Sequence, residues 1–150
     1  MIKFEQAKEH HLTALVAMLA NDPLGSTRED ASAPLNPAYV AAFNAIVADD
    51  NQLLVVALLD ETVVGTLQLW FIPGLALMGA WRGQIEAVRI HHDHRGSGLG
   101  RTMLEWVIDR CRERGCGIVQ LTTDKSRWGA HGFYEWLGFE ASHVGYKLKL

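Results

Sequence analysis

The 150 residues suit one domain, and a chain of this size buries roughly two-thirds of the surface its unfolded form exposes, enough for a true core. Hydrophobic residues make up 49% and charged residues 21%, the balance of a globular protein rather than of a disordered or collagen-like chain. Fourteen Lys and Arg against seventeen Asp and Glu leave a net charge of −3, so no general positive field draws the chain to nucleic acid or to an anionic membrane surface.

Residues 2–6, IKFEQ, alternate as a short strand. The start MIKFEQAKEHH has neither the long apolar stretch nor the small-residue cleavage site of a targeting segment, so the expected location is the cytoplasm. Leu12, Leu15, Val16 and Leu19 then recur at helical spacing. Asn21 to Pro37 gathers three prolines, a glycine and several Asp, Ser, Thr and Asn, and reads as a long functional loop. A second helix is expected from Pro37 to about Asp49, since proline suits a first helical turn and Val40, Phe43 and Val47 make a stripe.

Leu53–Leu59 and Val63–Ile72 are β-rich runs separated by Asp60, Glu61 and Thr62, the chemistry of an antiparallel hairpin. The run WFIPGLALMGAW is broken by Pro73 and Gly74, and no apolar run reaches the eighteen or so residues of a membrane span. It offers instead a face for a homodimer. Gln84 to His91 reads as a further strand, with Glu86, Val88 and Ile90 on one face and Ile85, Ala87 and Arg89 on the other. Past a glycine-rich segment, Leu99, Met103, Leu104, Val107, Ile108 and Cys111 form the apolar stripe of a long helix that Gly115 stops. Cys111 and Cys116 are poorly spaced for a disulfide and are expected as reduced, structural thiols. Gly117–Thr122 has the look of a buried strand. Ala130, Phe133, Tyr134 and Leu137 mark a last helix ending at Gly138, and a final strand is expected to run to Leu148. No repeat or linker divides the chain, and one α/β mixed sheet flanked by about four helices accounts for every segment.

The segment HRGSGLGR joins a strand to a helix start. Helix starts carry unpaired N–H groups and a partial positive charge, and glycines there let a phosphate approach the backbone. The segment lacks the Gly-Lys-Ser/Thr of nucleoside triphosphatases, and position 101 is Arg where the dinucleotide fingerprint has Gly. A plain glycine turn would explain the same residues.

With its surroundings, this loop resembles that of the Gcn5-related N-acetyltransferase (GNAT) family, which reads Gln or Arg, two residues, Gly, one residue, Gly or Ala. Arg95 to Gly100 fits this pattern throughout. IEAVRI looks like the family's fourth strand, and AHGFYEWLGF like its last helix and exit. The resemblance implies a mostly antiparallel sheet whose fourth and fifth strands splay to admit the pantetheine of acetyl-CoA, with loop amides on the pyrophosphate. It places coenzyme A on the backbone of Val88 and Ile90 and on Arg95, Gly96, Ser97, Gly98, Leu99 and Gly100, with Arg101 adjacent. Six residues before Phe133, where many members carry an asparagine facing the cofactor, this chain has Arg127, an arginine able to reach a phosphate.

Acetyl transfer to an amine needs a neutral amine, a polarised carbonyl and a protonated leaving thiol. Glu86, taken to sit on a largely apolar strand face that raises its pKa, is the expected general base, acting through water; an ion pair with Arg82 or Arg89 is the bland reading. Tyr134 fits a core stripe on spacing alone, and the resemblance makes it the general acid for the departing thiolate. Strand N–H groups near Val88 are expected to stabilise the oxyanion. HHDH at 91–94 is read as no metal site, because neighbouring residues on a short loop are poorly disposed around one ion.

Acceptor choice is assigned to the 21–37 loop, the second helix and the surroundings of Trp81 and Arg82, with Asp22, Glu29 and Asp30 as attractors for an ammonium group. The expected reaction moves an acetyl group from acetyl-CoA to the primary amine of a small molecule by direct attack in a ternary complex. The alternatives are a non-catalytic acyl-CoA-binding module and a protein or peptide amine acetyltransferase; a plugged cleft or a salt-bridged Glu86 would favour the former, a long groove the latter.

Overall fold

The computed structural model describes residues 1–150, apart from the side chain of Trp128. Strand β1 (Ile2–Gln6) leads into helix α1 (Leu12–Ala20), and the 21–36 loop into α2 (Pro37–Val47), where Asn36 caps the first turn by accepting from the Ala38 N–H at 3.0 Å. Strands β2 (Gln52–Leu59) and β3 (Thr62–Ile72) form the expected hairpin. Its two-residue loop places Asp60 and Glu61 at φ 48° and 66°, the left-handed turn that matches strand twist. Then come β4 (Trp81–Ile90), α3 (Leu99–Glu113), β5 (Cys116–Leu121) and α4 (Trp128–Trp136).

The five strands lie in chain order, β1 to β4 antiparallel and β5 parallel to β4, which is the mixed open sheet expected. Each face of the sheet carries its own core. On one side α3 drives Met103, Leu104, Val107 and Cys111 against Val55, Leu67, Leu69 and Ile85. Each such fully buried side chain contributes roughly 1.5–3 kcal/mol of transfer free energy. On the other side α1 and α2 bury Leu12, Leu15, Met18 and Phe43 against Val56 and Leu58. Helix α3 comes close to β4 because Gly83 has no side chain: a Cβ there would run into Cys111 Sγ. Cys111 and Cys116 are both free thiols, and burial pushes the Cys111 thiol up to about 12.

Two sequence expectations need correction. The first concerns β4. Glu86 pairs with Gln68 and Arg89 with Thr66, so Ala87 and Val88 together oppose Leu67, and Ala87 takes φ 53°. This β-bulge adds one residue and reverses the alternation. Glu86 therefore shares a face with Arg89, Gln68 and Thr66, whereas Ile85, Val88 and Ile90 turn to the α3 core. The second concerns the end of the chain. Residues 139–150 form no strand, and every residue from Glu140 onward is exposed. The alternating pattern is that of a strand, but within this chain no neighbour supplies the ladder.

Candidate active site

Strands β4 and β5 pair only from Trp81/Cys116 to Ile85/Leu121. Pairing stops where β5 ends at Leu121, so beyond Ile85 that edge of β4 is open through Ile90, where the resemblance implied splayed strands. The bulge lies at the mouth of this cleft, and the glycine loop and the start of α3 stand at its upper end. Gly96 and Gly98 take φ 76° and 86°, a left-handed backbone that favours glycine, and a Cβ at either would meet nothing within 4 Å. Their amides, with those of Leu99, Gly100 and Arg101, donate to no described acceptor; the Ser97 N–H and Oγ are instead turned to the His94 carbonyl. The loop thus presents a row of free donors at a helix N-terminus, fit for a pyrophosphate. Arg95 braces it, donating from Nε to the Ile90 carbonyl (3.3 Å) and from Nη2 to the Asn21 carbonyl (3.4 Å). Arg101 pairs with Glu105 at 2.7 Å and stacks over Trp136 at 4.7 Å. At Gly100 a Cβ would touch Phe133 Cζ (3.6 Å) and Ile90 Cγ1 (3.9 Å), so α4 closes on α3 and β4 there.

Val88 and Ile90 are half-buried on the open edge. Arg89 Nη1 donates to the Val88 carbonyl at 2.9 Å. Glu86 is exposed, and its carboxylate forms no hydrogen bond or ion pair with a described residue. The bulge turned it to the α1 and α2 side of the sheet, beside Gln68, Thr66 and Arg89, where it stays exposed rather than buried among apolar side chains. Tyr134 is half-buried on α4 between Phe133 (5.3 Å) and Phe139 (5.9 Å). Burial pushes its phenol above the ordinary value, while the guanidinium groups of Arg89 and Arg127 pull the other way.

Those two arginines meet a third residue that sequence reasoning placed elsewhere. Asp22, expected to attract an ammonium group, is turned inward: Arg89 Nε stands 2.9 Å from its Oδ2 and Arg127 Nη2 3.3 Å from its Oδ1. Burial alone would raise the Asp22 pKa, but the Gly25 N–H, Arg89, Arg127 and the Leu24 N–H together hold it below the ordinary carboxylate value. The cluster ties the 21–36 loop to β4 and to the start of α4. Nothing in the order of residues 22, 89 and 127 signals that they meet. Glu29 accepts from the Tyr39 hydroxyl (3.0 Å), and Asp30 accepts from the Ser32 N–H (3.0 Å), so these acids also brace the loop. Trp81 and Arg82 lie at the far end of β4 from the glycine loop, and Trp81 packs against the core.

A pocket of about 140 Å³ opens between α1, α2 and the sheet, lined among others by Leu15, Leu19, Tyr39, Phe43, Gln68 and Ala87. It abuts the bulge next to Glu86. His91, His92 and Asp93 bring ligand atoms within 4.8 Å of one another, so spacing alone does not bar an ion there; all three lie on a half-buried to exposed loop, where Asp93 pairs with both histidines. His131 Nε2 lies 3.0 Å from the Asp124 carbonyl, and Ser142 Oγ lies against His143. Among the described residues no helix is long and apolar enough to cross a membrane.

The profile of the Acetyltransferase (GNAT) family matches residues 6–139. The chain belongs to the GNAT family. As a GNAT protein it is an acyltransferase, an N-acetyltransferase, of a family for which acetyl-CoA is the typical acyl donor. It is 30% identical over 113 residues to the aminoalkylphosphonate N-acetyltransferase of Salmonella typhimurium, a match covering 75% of this chain and 73% of the relative. Among solved structures it is similar to a Bacillus halodurans C-125 protein described as a transcriptional regulator, with 47% identity, a TM-score of 0.98 and full coverage of both chains. A putative acetyltransferase from Agrobacterium tumefaciens C58 superposes with a TM-score of 0.86 at 25% identity, over 99% of each chain.

Proposed function

We propose that residues 1–150 act as one acetyltransferase domain in the cytoplasm that moves an acetyl group from acetyl-CoA to the primary amine of a small molecule, by direct attack in a ternary complex. The observation that carries this reading is the open edge of β4 beyond Ile85, where β5 has ended, beside a row of unpaired amides at the start of α3. Acetyl-CoA supplies an activated acyl group as a thioester. The amides of Gly96, Gly98, Leu99, Gly100 and Arg101 bind its pyrophosphate, and the open edge from Val88 to Ile90 hydrogen-bonds its pantetheine. Ser97 and Arg95 shape this loop, and Arg127 is close enough to the cleft to add a cation once it swings from Asp22.

Glu86 lies at the rim of the pocket between α1 and α2 with a free carboxylate, so it is placed to take a proton from the incoming amine through water. An exposed base not committed to an ion pair favours an enzyme over a passive acyl-CoA binder. An N–H freed at the bulge near Val88 stabilises the oxyanion. Burial keeps the Tyr134 phenol protonated well past neutral pH, so it serves as the acid for the departing thiolate. A pocket of only about 140 Å³, together with the small-molecule acceptor named for the Salmonella relative, supports a small amine over a peptide. No nucleic acid, membrane or metal enters this reaction.

The test is an amine panel with acetyl-CoA, read by thiol release. Tyr134→Phe is expected to lower kcat by about a hundredfold, a usual share for one general acid, with KM for acetyl-CoA nearly unchanged. Glu86→Gln is expected to slow the reaction most at lower pH, where more of the amine is protonated. Unchanged turnover in Tyr134→Phe would remove its role, and a thermal shift absent at saturating acetyl-CoA would remove the site itself.

A further inference from the structure

The cluster around Asp22 holds more positive charge than a tie between loop and strand requires. Asp22 Oδ1 accepts the N–H groups of Leu24 (2.9 Å) and Gly25 (2.8 Å), and Arg127 Nη2 donates to the same oxygen at 3.3 Å. Arg89 Nε stands 2.9 Å from Oδ2, but it is not aimed at that oxygen, and both of these buried atoms lack a hydrogen-bond partner among the described residues. One carboxylate thus faces two guanidinium groups and is aligned with only one of them. Arg28 adds a third. Burial lowers the Arg89 pKa, Asp22 opposes, and Arg127 and then Arg28 deepen the lowering. Asp124, which accepts from the Ser126 N–H and hydroxyl, is a second acid on which Arg127 and Arg28 act. Three guanidinium groups against these two carboxylates leave one positive charge over, and a partly buried cation without a counter-charge is costly.

The surplus stands at the reacting end of the cleft. Glu86 opposes Gln68 on β3 and Arg89 opposes Thr66, two residues away on the same face, so the two backbones are roughly 7 Å apart along the sheet. Arg89 and Arg127 also both act on the Tyr134 phenol. Between Glu86 and Arg89 lies Ala87, which lines the pocket of about 140 Å³ together with the apolar side chains of Leu15 and Phe43. A free carboxylate, an excess of guanidinium charge and an apolar pocket therefore meet around four residues of β4.

We propose that the acceptor is a compact zwitterion: its ammonium group lies beside Glu86, its anionic group is taken by the guanidinium groups of Arg89 and Arg127, and its apolar side group enters the pocket between α1 and α2. The proposal rests on the reading of the cleft as an acetyl-transfer site and names the class of amine that site selects. A guanidinium fork suits the paired oxygens of a carboxylate or a phosphonate. With Glu86 and Arg89 this close, amine and anion belong on the same or adjacent carbons. A neutral amine of the same shape leaves the buried donors unpaired, which is the strongest form of discrimination a small site has.

The experiment compares matched acceptors at saturating acetyl-CoA: alanine with ethylamine, leucine with 3-methylbutylamine, and phenylalanine with 2-phenylethylamine, each pair differing by one carboxylate, with 1-amino-3-methylbutylphosphonate as the other anion. In at least one pair the anionic member is expected to have a kcat/KM about thirtyfold or more above its neutral partner, expressed mainly in KM. A preference for the phosphonate over leucine, or the reverse, names the anion. Arg89→Gln is expected to lower kcat/KM for the anionic member about thirtyfold more than for the neutral one, and Arg127→Gln repeats the test where the first variant folds poorly. Comparing both members in both proteins cancels the intrinsic reactivity of each amine. Neutral members used as well as anionic ones in every pair, or variants that slow both members equally, would overturn the proposal and leave the cluster as a brace for the loop. Calorimetric titration of the anionic members into the unaltered protein loaded with coenzyme A reads the anion site without turnover. Binding there that is lost in Arg89→Gln, with no thiol released from any amine, would keep the anion site and remove the transferase reading. Thiol release from neutral amines alone would do the opposite, and no binding by any anionic member would overturn the anion site.

Discussion

Ala87 holds an unusual backbone for an L-residue, φ 53°, and with it the geometry of the cleft mouth. A left-handed conformation sets the Cβ against the following carbonyl and costs about 1–2 kcal/mol, a strain that glycine escapes. Part of the gain from Ala87→Gly is lost to the greater freedom of glycine in the unfolded chain. The net expectation is a stabilisation of about 1 kcal/mol, raising Tm by about 2–4 °C, with Ala87→Val moving Tm the other way. A Tm lowered by glycine would mean that the bulge is unstrained. The same residue shows where the sequence stops being legible. Bulges are often marked by glycine, and an alanine inside IEAVRI gives no cue, so strict alternation put Glu86 on the wrong face. Glu86 was named as a candidate all the same, because the loop motif that follows it identifies the strand. The Asp22, Arg89 and Arg127 cluster had no such guide: three charged residues far apart in the chain meet only through the fold.

At the level of elements, the tightest fit is that of α3 on β4. A methyl group at Gly83 would collide with Cys111 Sγ, and in a core packed from both sides neither backbone can yield freely. Gly83→Ala is expected to destabilise by about 2 kcal/mol, the usual range for overpacking. Cys111→Ala deletes the colliding atom and leaves a small void, costing about 1 kcal/mol. In the double variant the new methyl group fills that void, so the loss is expected to be smaller than for Gly83→Ala alone. Denaturant unfolding of the four proteins measures this coupling, and simple additivity would show that the approach of helix to strand is not set by this pair. Elements of this kind were readable in advance. The stripe from Leu99 to Cys111 gave the helix and its buried face, and the Asp60–Glu61 break gave the hairpin. The last strand was expected from its alternation and did not form, because period two states which face would be buried and says nothing of whether a ladder is there to join.

For the molecule as a whole, acid should act through two buried groups of opposite chemistry. His11 is 5% exposed, and its Nδ1 accepts the Lys8 N–H at 3.0 Å, a role open only to the neutral ring. Burial, then the nearby His10, lowers its pKa below 6.5, with Glu5 opposing. Above pH 6.5 neither folded nor unfolded chain carries the proton and the contribution is whole; below it the unfolded chain takes the proton first, and stability falls until the folded pKa is passed. Asp22 also titrates low in the folded state, so its contribution holds above about pH 3.8 and is lost as pH falls through the depressed value. A first decline near pH 6 therefore belongs to the α1 side of the sheet, and a second, below pH 4, to the cluster behind the cleft together with the hydrogen-bonded carboxylates of Asp30, Asp49 and Asp124. His11→Asn separates them, because an asparagine carbonyl can take the Lys8 N–H without titrating. At pH 8 the variant is expected to be less stable by about 1 kcal/mol, as for a buried side chain cut short. On acidification from pH 7 to pH 5 its Tm is expected to fall less than that of the wild type, so that the two curves converge. Parallel curves over that interval would assign the first decline to groups other than His11.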